Sequence, residues 1–375
     1  MKKILAAIII LTALSGISYA DIVYTTSNGS LGIIPVRSAE DIRTPEVMYS
    51  GLRENSLVGA YVVETSQNKT SPYIMVVNRN ENVEASDTAL IFKASELTSP
   101  AMSTTLNGVY NTKTFAGSYN GRSLFFASQE DVSIVEFDAA SPDIPLNMYM
   151  YNNILEDTTD YEPELIDMAV GTYHIMALFR ATPDILELFM FDGQLDETVK
   201  DFRRGTIRND ATNIAYLKGN KFAIGAEGGV SIVNLNTIQT IVSTDYPVKS
   251  ICRDTGDGLY FAEQSQNGDV DIWHYKNEDS ITMVASIEGD YNCKLLKDSD
   301  YDVLAVMSGN RIYLYKMNDD IFLASYDTSS LGGTPTNITV SKAASEEESS
   351  GSNCDVSSMG VLMMSVLVFA LMRRK

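Results

Sequence analysis

Residues 213–242 read NIAYLKGNKFAIGAEGGVSIVNLNTIQTIV, and this stretch decides the fold class of the chain. It holds four short segments rich in β-branched, aromatic and other apolar residues. Turn-forming residues separate the segments, with glycines in the turns at 218–220 and 227–229. Short apolar segments bounded by such turns predict four antiparallel strands joined by hairpins.

The third of these segments recurs along the chain. Its pattern is two apolar residues, a variable residue, another apolar residue and then a turn-forming or charged residue. The copies lie at 33–37, 89–93, 134–138, 188–192, 232–236, 272–276 and 312–316. Successive copies are 40 to 56 residues apart, and a repeat of about 40 to 50 residues is typical of propeller blades.

Seven copies predict an all-β fold, a seven-bladed β-propeller over residues 21–342. The segment that begins at Asp21 has the pattern of a second strand, and residues 336–342 can supply the missing first strand. The N- and C-terminal strands would then close one blade and leave no free sheet edge. The strand order resembles that of YVTN-type seven-bladed propellers, an architecture that serves many functions. An open β-solenoid is the alternative for such a repeat.

The N-terminus has the three parts of a secretory signal peptide. Lys2 and Lys3 precede an apolar core at 4–14, and the small residues Ser18 and Ala20 follow it. We therefore predict that residues 1–20 are a signal peptide, that cleavage follows Ala20 and that the protein is exported.

The C-terminus predicts a second address signal. A Ser/Glu-rich linker at 343–353 precedes a tail at 354–375, whose apolar run at 356–372 ends in basic residues. An apolar run of this length is close to the lower limit for a helix that crosses a bilayer, and the basic end would stay on the cytoplasmic side. A plain transmembrane anchor is one interpretation of this tail.

The same tail resembles the Synerg-CTERM type of C-terminal sorting domain found on bacterial envelope proteins. The matching positions are Gly351, Cys354, Arg373 and Arg374. The resemblance implies a bacterial cell-envelope protein whose tail a sorting protease recognises and removes, and whose new end is anchored at the cell surface. A lipid-anchor signal of similar layout is the alternative.

Composition limits the partners. The chain has 49 acidic and 28 basic side chains and a formal net charge of −21. Such a surface repels phosphate backbones, so we predict that nucleic acid is not a partner. Cys252 and Cys293 could pair in an oxidising compartment, but the repeat places them on neighbouring strands about three residues out of register. We therefore favour two buried thiols.

No familiar catalytic motif is present in the sequence. Its two histidines, His174 and His274, lie in apolar segments and are interpreted as structural. It lacks the spacings of serine hydrolases and zinc sites, and its single tryptophan, Trp273, argues against a pyrroloquinoline quinone dehydrogenase. Asp-rich turns at 254–258 and 298–302 could bind calcium, but aspartate is also favoured in turns for backbone reasons. We predict no cofactor and no metal.

A ligand site is expected where the loops of one propeller face converge. Five segments reach that face: 78–87, 129–131, 153–164, 204–212 and 263–269. Several are acidic, and they could attract a basic peptide, a cationic polymer or a divalent cation. The predicted ligand-binding residues are Asp157, Asp160, Tyr161, Glu162, Glu164 and Arg208.

These observations predict a non-enzymatic, surface-anchored propeller that binds an extracellular or envelope protein, peptide or glycan. One alternative is a propeller hydrolase or lyase that uses a carboxylate pair, which distances rather than sequence would reveal. The other alternative is a structural scaffold for envelope assembly.

Overall fold

The computed structural model describes residues 20–340, with gaps at 65–69, 81–84, 95, 118–122, 128–131, 138–144, 152–163, 172–173, 183–184, 193–202, 208–209, 220, 235–236, 255–257, 278–279, 289–292, 299–301 and 318. These residues belong to one unit of the chain, Met1–Ala343. None of them forms a helix with the length and apolarity needed to cross a membrane. The predicted linker and tail, and the signal peptide up to its last residue, lie outside the described residues.

The described strands form seven antiparallel sheets, numbered here in chain order. Sheet 1 contains β1 (Ala20–Thr26), β2 (Leu31–Ser38), β3 (Asp41–Ile42) and β4 (Glu46–Tyr49). Sheet 2 contains β5 (Leu57–Glu64), β6 (Thr70–Asn78), β7 (Thr88–Lys93) and β8 (Met102–Thr105). Sheet 3 contains β9 (Thr114–Gly117), β10 (Ser123–Ala127), β11 (Val132–Phe137) and β12 (Pro145–Tyr151).

The remaining sheets repeat this plan. Sheet 4 contains β13 (Glu164–Val170), β14 (His174–Thr182), β15 (Ile185–Asp192) and β16 (Arg203–Ile207). Sheet 5 contains β17 (Ala211–Lys218), β18 (Lys221–Ala226), β19 (Gly229–Asn234) and β20 (Thr237–Ser243). Sheet 6 contains β21 (Val248–Arg253), β22 (Leu259–Gln264), β23 (Val270–Asn277) and β24 (Ser280–Ile287). Sheet 7 contains β25 (Lys294–Asp298), β26 (Val303–Ser308), β27 (Arg311–Lys316) and β28 (Ile321–Asp327), and a 3₁₀ turn at Ser329–Leu331 leads to β29 (Pro335–Val340).

Sheet 1 joins the two ends of the described chain. Strand β29 pairs antiparallel with β1, with Ile22 opposite Val340 and Tyr24 opposite Ile338. The strand order in this sheet is β29-β1-β2-β3, and β4 also pairs with β2. The closing strand predicted at 336–342 is therefore present but begins one residue earlier, and β1 begins at Ala20 rather than Asp21.

The repeated segment occupies the same place in every sheet. All seven copies lie in or overlap the third strands, which are β2, β7, β11, β15, β19, β23 and β27. The first strands contact one another in the order β29, β5, β9, β13, β17, β21, β25 and back to β29. Each sheet consequently has two neighbours.

Where the side chains are described, a sheet between two neighbours has both of its faces buried. Along β1, Tyr24 packs against residues of sheet 7, whereas the adjacent Val23 packs against residues of sheet 2. All six residues of Val303–Ser308 are buried for the same reason. Full burial of a large apolar side chain stabilises a fold by about 1.5–3 kcal/mol, so these inter-sheet clusters form the core.

Cys252 and Cys293 lie in the same apolar cluster between sheets 6 and 7. Both thiols are buried, and no disulfide joins them. Burial raises the pKa of the Cys293 thiol to about 12, so this thiol is protonated and unreactive at neutral pH.

Candidate functional site

The first strands surround a cavity of about 430 Å³. This volume lies within the range that proteins use to bind small molecules. Six of the seven sheets contribute to its described lining, which consists of Asn55, Leu57, Arg79, Asp167, Thr212, Asn213, Lys249, Ser250, Cys293, Lys294, Met307 and Thr336.

Asp167 is brought to the cavity by β13, which is bulged between Leu165 and Asp167. One carboxylate oxygen accepts the backbone N–H of Met168 at 2.8 Å, and the other accepts that of Ile214 in β17 at 3.1 Å. Burial raises the pKa of Asp167, although these two hydrogen bonds and the nearby Lys294 act in the opposite direction. Asp167 is therefore a fixed carboxylate with an enhanced affinity for a proton.

Lys294 begins β25 and lines the same cavity. Its Nζ donates a hydrogen bond to Asn337 Oδ1 at 2.6 Å. Burial lowers the pKa of Lys294, and the charge of Asp167 partly offsets this effect. The lining of one cavity thus holds a carboxylate, Asp167, and an ammonium group, Lys294, and each influences the pKa of the other.

Polar side chains near the cavity also connect neighbouring sheets. Asn213 donates to the carbonyl of Val248 at 3.0 Å, and Ser250 Oγ accepts the backbone N–H of Leu295 at 3.0 Å. Backbone groups at the inner edges of the sheets would otherwise be buried without partners. The bonds of Asp167 and Lys294 belong to this set, so the two charged side chains are held by rigid elements.

Arg79 contributes a third kind of group to the lining. One terminal nitrogen of its guanidinium, Nη2, donates to Asn111 Oδ1 at 2.6 Å. Its Nε is buried and has no hydrogen-bond partner within the described part of the chain. Arg79 therefore adds a positively charged side chain, oriented by Asn111, to the lining.

The buried side chain of Asp87 fixes the backbone next to Arg79. This fully buried carboxylate accepts the backbone N–H of Asn80 at 2.7 Å and both the backbone N–H and hydroxyl of Thr112, at 2.7 and 2.6 Å. Asn80 follows Arg79, and Thr112 follows Asn111. One carboxylate thus holds both the arginine and the residue that orients it.

Five of the six predicted ligand residues lie outside the described residues. Asp157, Asp160, Tyr161, Glu162 and Arg208 lie in the gaps of the described chain. Glu164 is the first residue of β13, opposite Arg180, and β13 carries Asp167 three residues later. Of the predicted face segments, 78–87 and 204–212 do reach the cavity, through Arg79 and Thr212. The predicted processing residues Gly351, Cys354, Arg373 and Arg374 also lie outside the described residues.

Sequence reasoning missed Asp167, Lys249, Lys294 and Arg79. A usable signal was present, because Asp167 and Lys249 lie inside apolar first strands and Lys294 begins one, as in Leu165-Ile166-Asp167-Met168. Aligning the first strands of the repeat, rather than the third, would have shown charged residues at inner positions.

His274 lies on a third strand, where the repeat placed it. It is buried on β23, its ring stacks on Tyr260 with centroids 4.0 Å apart, and its Nε2 lies 2.8 Å from Asp254 Oδ2. An oxygen of Asp320, in the turn before β28, lies 3.6 Å from Nδ1. His174 is the first residue of β14. The turn residue Asp254 therefore bonds to a histidine within its own sheet, and the described residues contain no cluster of three metal-binding side chains.

Comparison with known proteins identifies the architecture. No protein-family model matches the chain, and no curated protein sequence matches it. Among solved structures, the chain resembles the Pseudomonas aeruginosa periplasmic gluconolactonase PpgL, with a TM-score of 0.61 over 86% of this chain and 99% of that one. The fold is a β-propeller. The two sequences are 9% identical, so the likeness establishes the fold alone.

A weaker likeness, to a nidogen/laminin complex, has a TM-score of 0.36 and supports no conclusion. The match to PpgL overturns two predictions, that the propeller is a non-enzymatic binding module and that the chain is not an enzyme. PpgL, which this fold matches over most of its length, is an enzyme. A site on a propeller can be assembled from single residues on several strands, so the absence of a sequence motif does not exclude an enzyme.

Proposed function

We propose that this chain is a β-propeller hydrolase that opens small lactones in its cavity. The observation that carries the proposal is the coupled pair Asp167 and Lys294, a base and a cation fixed in a cavity of small-molecule size. The gluconolactonase activity named for the structural neighbour is consistent with this chemistry.

The lining favours an ester over a glycoside. Glycoside hydrolysis ordinarily requires two carboxylates about 5 to 10 Å apart. Among the described lining residues, Asp167 is the one carboxylate, and the other charged groups are cations. Opening a cyclic ester needs one base and a positive charge near the carbonyl oxygen.

The residues divide the reaction as follows. Asp167 accepts a proton from a water molecule whose oxygen bonds to the lactone carbonyl carbon. The Lys294 ammonium stabilises the negative charge that develops on the carbonyl oxygen. The ring C–O bond then breaks, Asp167 returns the proton to the ring oxygen, and the product is a hydroxy acid.

We also propose the finer architecture and location. Seven sheets, seven repeated third strands, a closed cycle of first-strand contacts and the β29–β1 pairing support a seven-bladed propeller closed by its two ends. The signal-peptide pattern at 1–20 supports export. The tail at 354–375 supports anchoring in the cell envelope, after processing by a sorting protease.

The activity is tested with the purified full-length chain and D-glucono-1,5-lactone, by measuring acid release above the spontaneous rate. Asp167→Asn and Lys294→Met should each lower kcat by about 100-fold or more. Asp41→Asn and Lys93→Met make the same chemical changes at exposed positions and should retain activity.

Thermal unfolding of each variant separates loss of chemistry from loss of fold. A folded Asp167→Asn variant with undiminished kcat would remove Asp167 from the mechanism. Failure of the wild-type chain to accelerate opening of any lactone in a panel of five- and six-membered rings would refute the proposed function.

A further inference from the structure

The exposed apolar side chains of the described residues are concentrated on a few strands. Seven large apolar side chains are exposed, and five of them lie within the first four residues of a fourth strand. These five are Ile238 on β20, Ile281 and Met283 on β24, and Ile321 and Phe322 on β28. The three strands belong to sheets 5, 6 and 7, which follow one another in the ring. We call these five side chains the apolar rim.

The described chain ends on the face that carries the apolar rim. Antiparallel pairing puts the start of a fourth strand at the same sheet edge as the end of the first strand. At the other edge, β28 ends where β29 begins, because Thr328 donates its backbone N–H to Asn310 and its hydroxyl to Gly333. Strand β29 therefore ends, at Val340, on the face where β28 begins.

The two faces differ in exposed apolar groups. Tyr110, one of the two remaining exposed side chains, lies on the opposite face, in the connection from β8 to β9. The other, Val47 on β4, is opposite Gly32 near the start of β2. Single exposed apolar residues are common on proteins, but a concentration of them marks an interaction surface.

Phe322 is displayed by a rigid element. Its ring packs edge-on against that of Tyr315, with centroids 5.7 Å apart, yet 54% of the residue remains exposed. Met283 and Ile321 are exposed by 55% and 52%. Side chains that are already ordered lose little conformational entropy when a partner covers them.

We infer that the apolar rim lies against the lipid bilayer that anchors the protein. The inference rests on the anchoring proposed above and adds an orientation of the propeller. Fifteen residues, 341–355, separate Val340 from the apolar run at 356–372. Even fully extended, they span about 50 Å. Such a tether keeps the bilayer at a high effective concentration, so contact by a few apolar side chains is sufficient.

The contact is apolar rather than electrostatic. The formal charge of −21 does not favour anionic lipid. Aromatic and aliphatic side chains enter the headgroup region of uncharged bilayers as well. In this orientation, the opposite face, which includes Arg79 and Asp87, points away from the membrane.

A fluorophore attached on each face tests the orientation. The full-length chain carries Cys354→Ser, and one cysteine is introduced, by Thr282→Cys between Ile281 and Met283 or by Ser330→Cys on the opposite face. Both positions are exposed, whereas Cys252 and Cys293 are buried. After reconstitution into phosphatidylcholine vesicles, brominated lipid should quench the label at 282 and leave the label at 330 unquenched. The quenching should persist at high ionic strength, because salt does not screen an apolar contact.

Variants of the rim locate the contact. Met283→Ser combined with Phe322→Ser should abolish most of the quenching at position 282. Tyr110→Ser removes an exposed aromatic side chain from the opposite face and should leave the quenching unchanged.

Flotation of the vesicles separates this inference from the proposed anchor, and lactone opening is measured independently of both. A chain that does not float with the vesicles would refute the anchor and the inference. A floating chain with equal quenching at 282 and 330, or with none at either, would overturn the inference and leave the anchor in place. A blue-shifted but unquenched label at 282 would show that protein, such as a second copy, covers the rim instead of lipid.

Discussion

Asp167 and Lys294 carry opposite charges. Burial raises the pKa of Asp167 and lowers that of Lys294, so in both cases it favours the neutral form. The fold compensates for their desolvation with specific bonds. Asp167 accepts two backbone N–H groups, and Lys294 donates to Asn337. A carboxylate with a raised pKa is a better base, and a fixed ammonium stabilises an anion without reorganising.

The pH dependence of lactone opening follows from these shifts. Asp167 must be unprotonated to act as a base, and its pKa is raised from the ordinary 3.8, so activity should fall at a pH above that value as acid is added. Lys294 must be charged, and its pKa is lowered from the ordinary 10.5, so activity should decline below that value as pH rises. We expect a bell-shaped profile of kcat/KM narrower than 3.8 to 10.5.

The variants assign the two limbs of this profile. Asp167→Asn should abolish the acid limb of the residual activity, and Lys294→Met should abolish the alkaline limb. A profile with unshifted limbs in both variants would show that other groups titrate. Because the two residues are coupled, the limbs of the wild-type profile belong to the pair.

For single residues, the sequence predicted only part of what the structure shows. The two buried free cysteines were predicted correctly and His274 was placed on the right strand, because each lies in or next to an apolar strand pattern. Asp167 and Lys294 could not be paired from sequence, since they are more than 120 residues apart and line the same cavity only because the first strands form a closed ring. The acidic loop residues drew attention instead because they are adjacent in sequence.

At some positions, the packing between neighbouring strands leaves no room for a side chain. Gly32 on β2 lies opposite Tyr24 on β1. A Cβ atom on Gly32 would lie 2.3 Å from the ring of Tyr24, which is itself fully buried. This glycine is required because an aromatic ring lies across it.

Gly32→Ala should therefore destabilise the protein by about 1–3 kcal/mol through overpacking. Urea unfolding followed by circular dichroism measures the change. Tyr24→Leu combined with Gly32→Ala should cost less than the sum of the two single substitutions, because the smaller side chain relieves the contact. Additive costs would mean that the ring and the glycine do not interact.

Strand existence was predictable where turn residues bound short apolar runs, as in sheet 5. Strand ends were less so, since β29 begins at Pro335 and β1 at Ala20, one residue before the predicted positions. Proline at the start of a strand is acceptable because its missing N–H precedes the ladder. The pattern of apolar residues alone does not show at which residue such a strand begins.

The whole molecule depends on one strand supplied from the far end of the chain. Thr25 and Thr336, 311 residues apart, share a hydrogen bond of 3.0 Å between their hydroxyl groups. Strand β29 also provides Thr336 to the cavity and Asn337 to Lys294. Closure of sheet 1 therefore serves both stability and the candidate site.

A chain that ends at residue 334 should lose this closure. Its thermal midpoint should fall by about 10 °C or more, because a loss of about 5 kcal/mol shifts a domain of this size by roughly 2 °C per kcal/mol. Differential scanning calorimetry measures the shift, and lactone opening should disappear with it. A chain that ends at 343 is the matched control and should retain the wild-type midpoint. Equal midpoints for the two truncations would show that β29 is dispensable.

The pairing of the first and last strands also sets the time at which the protein can mature. During synthesis, β1 can pair with β2 as soon as both are made, but its other partner, β29, is missing until residue 340 has been added. The intervening sheets can each form from their own contiguous segment, but sheet 1 cannot. Joining segments so distant in sequence is the slow step expected for such a topology. A chain whose translation stops before β29 has been made therefore cannot complete sheet 1. Pairing of the two ends is possible only when the whole domain has been synthesised.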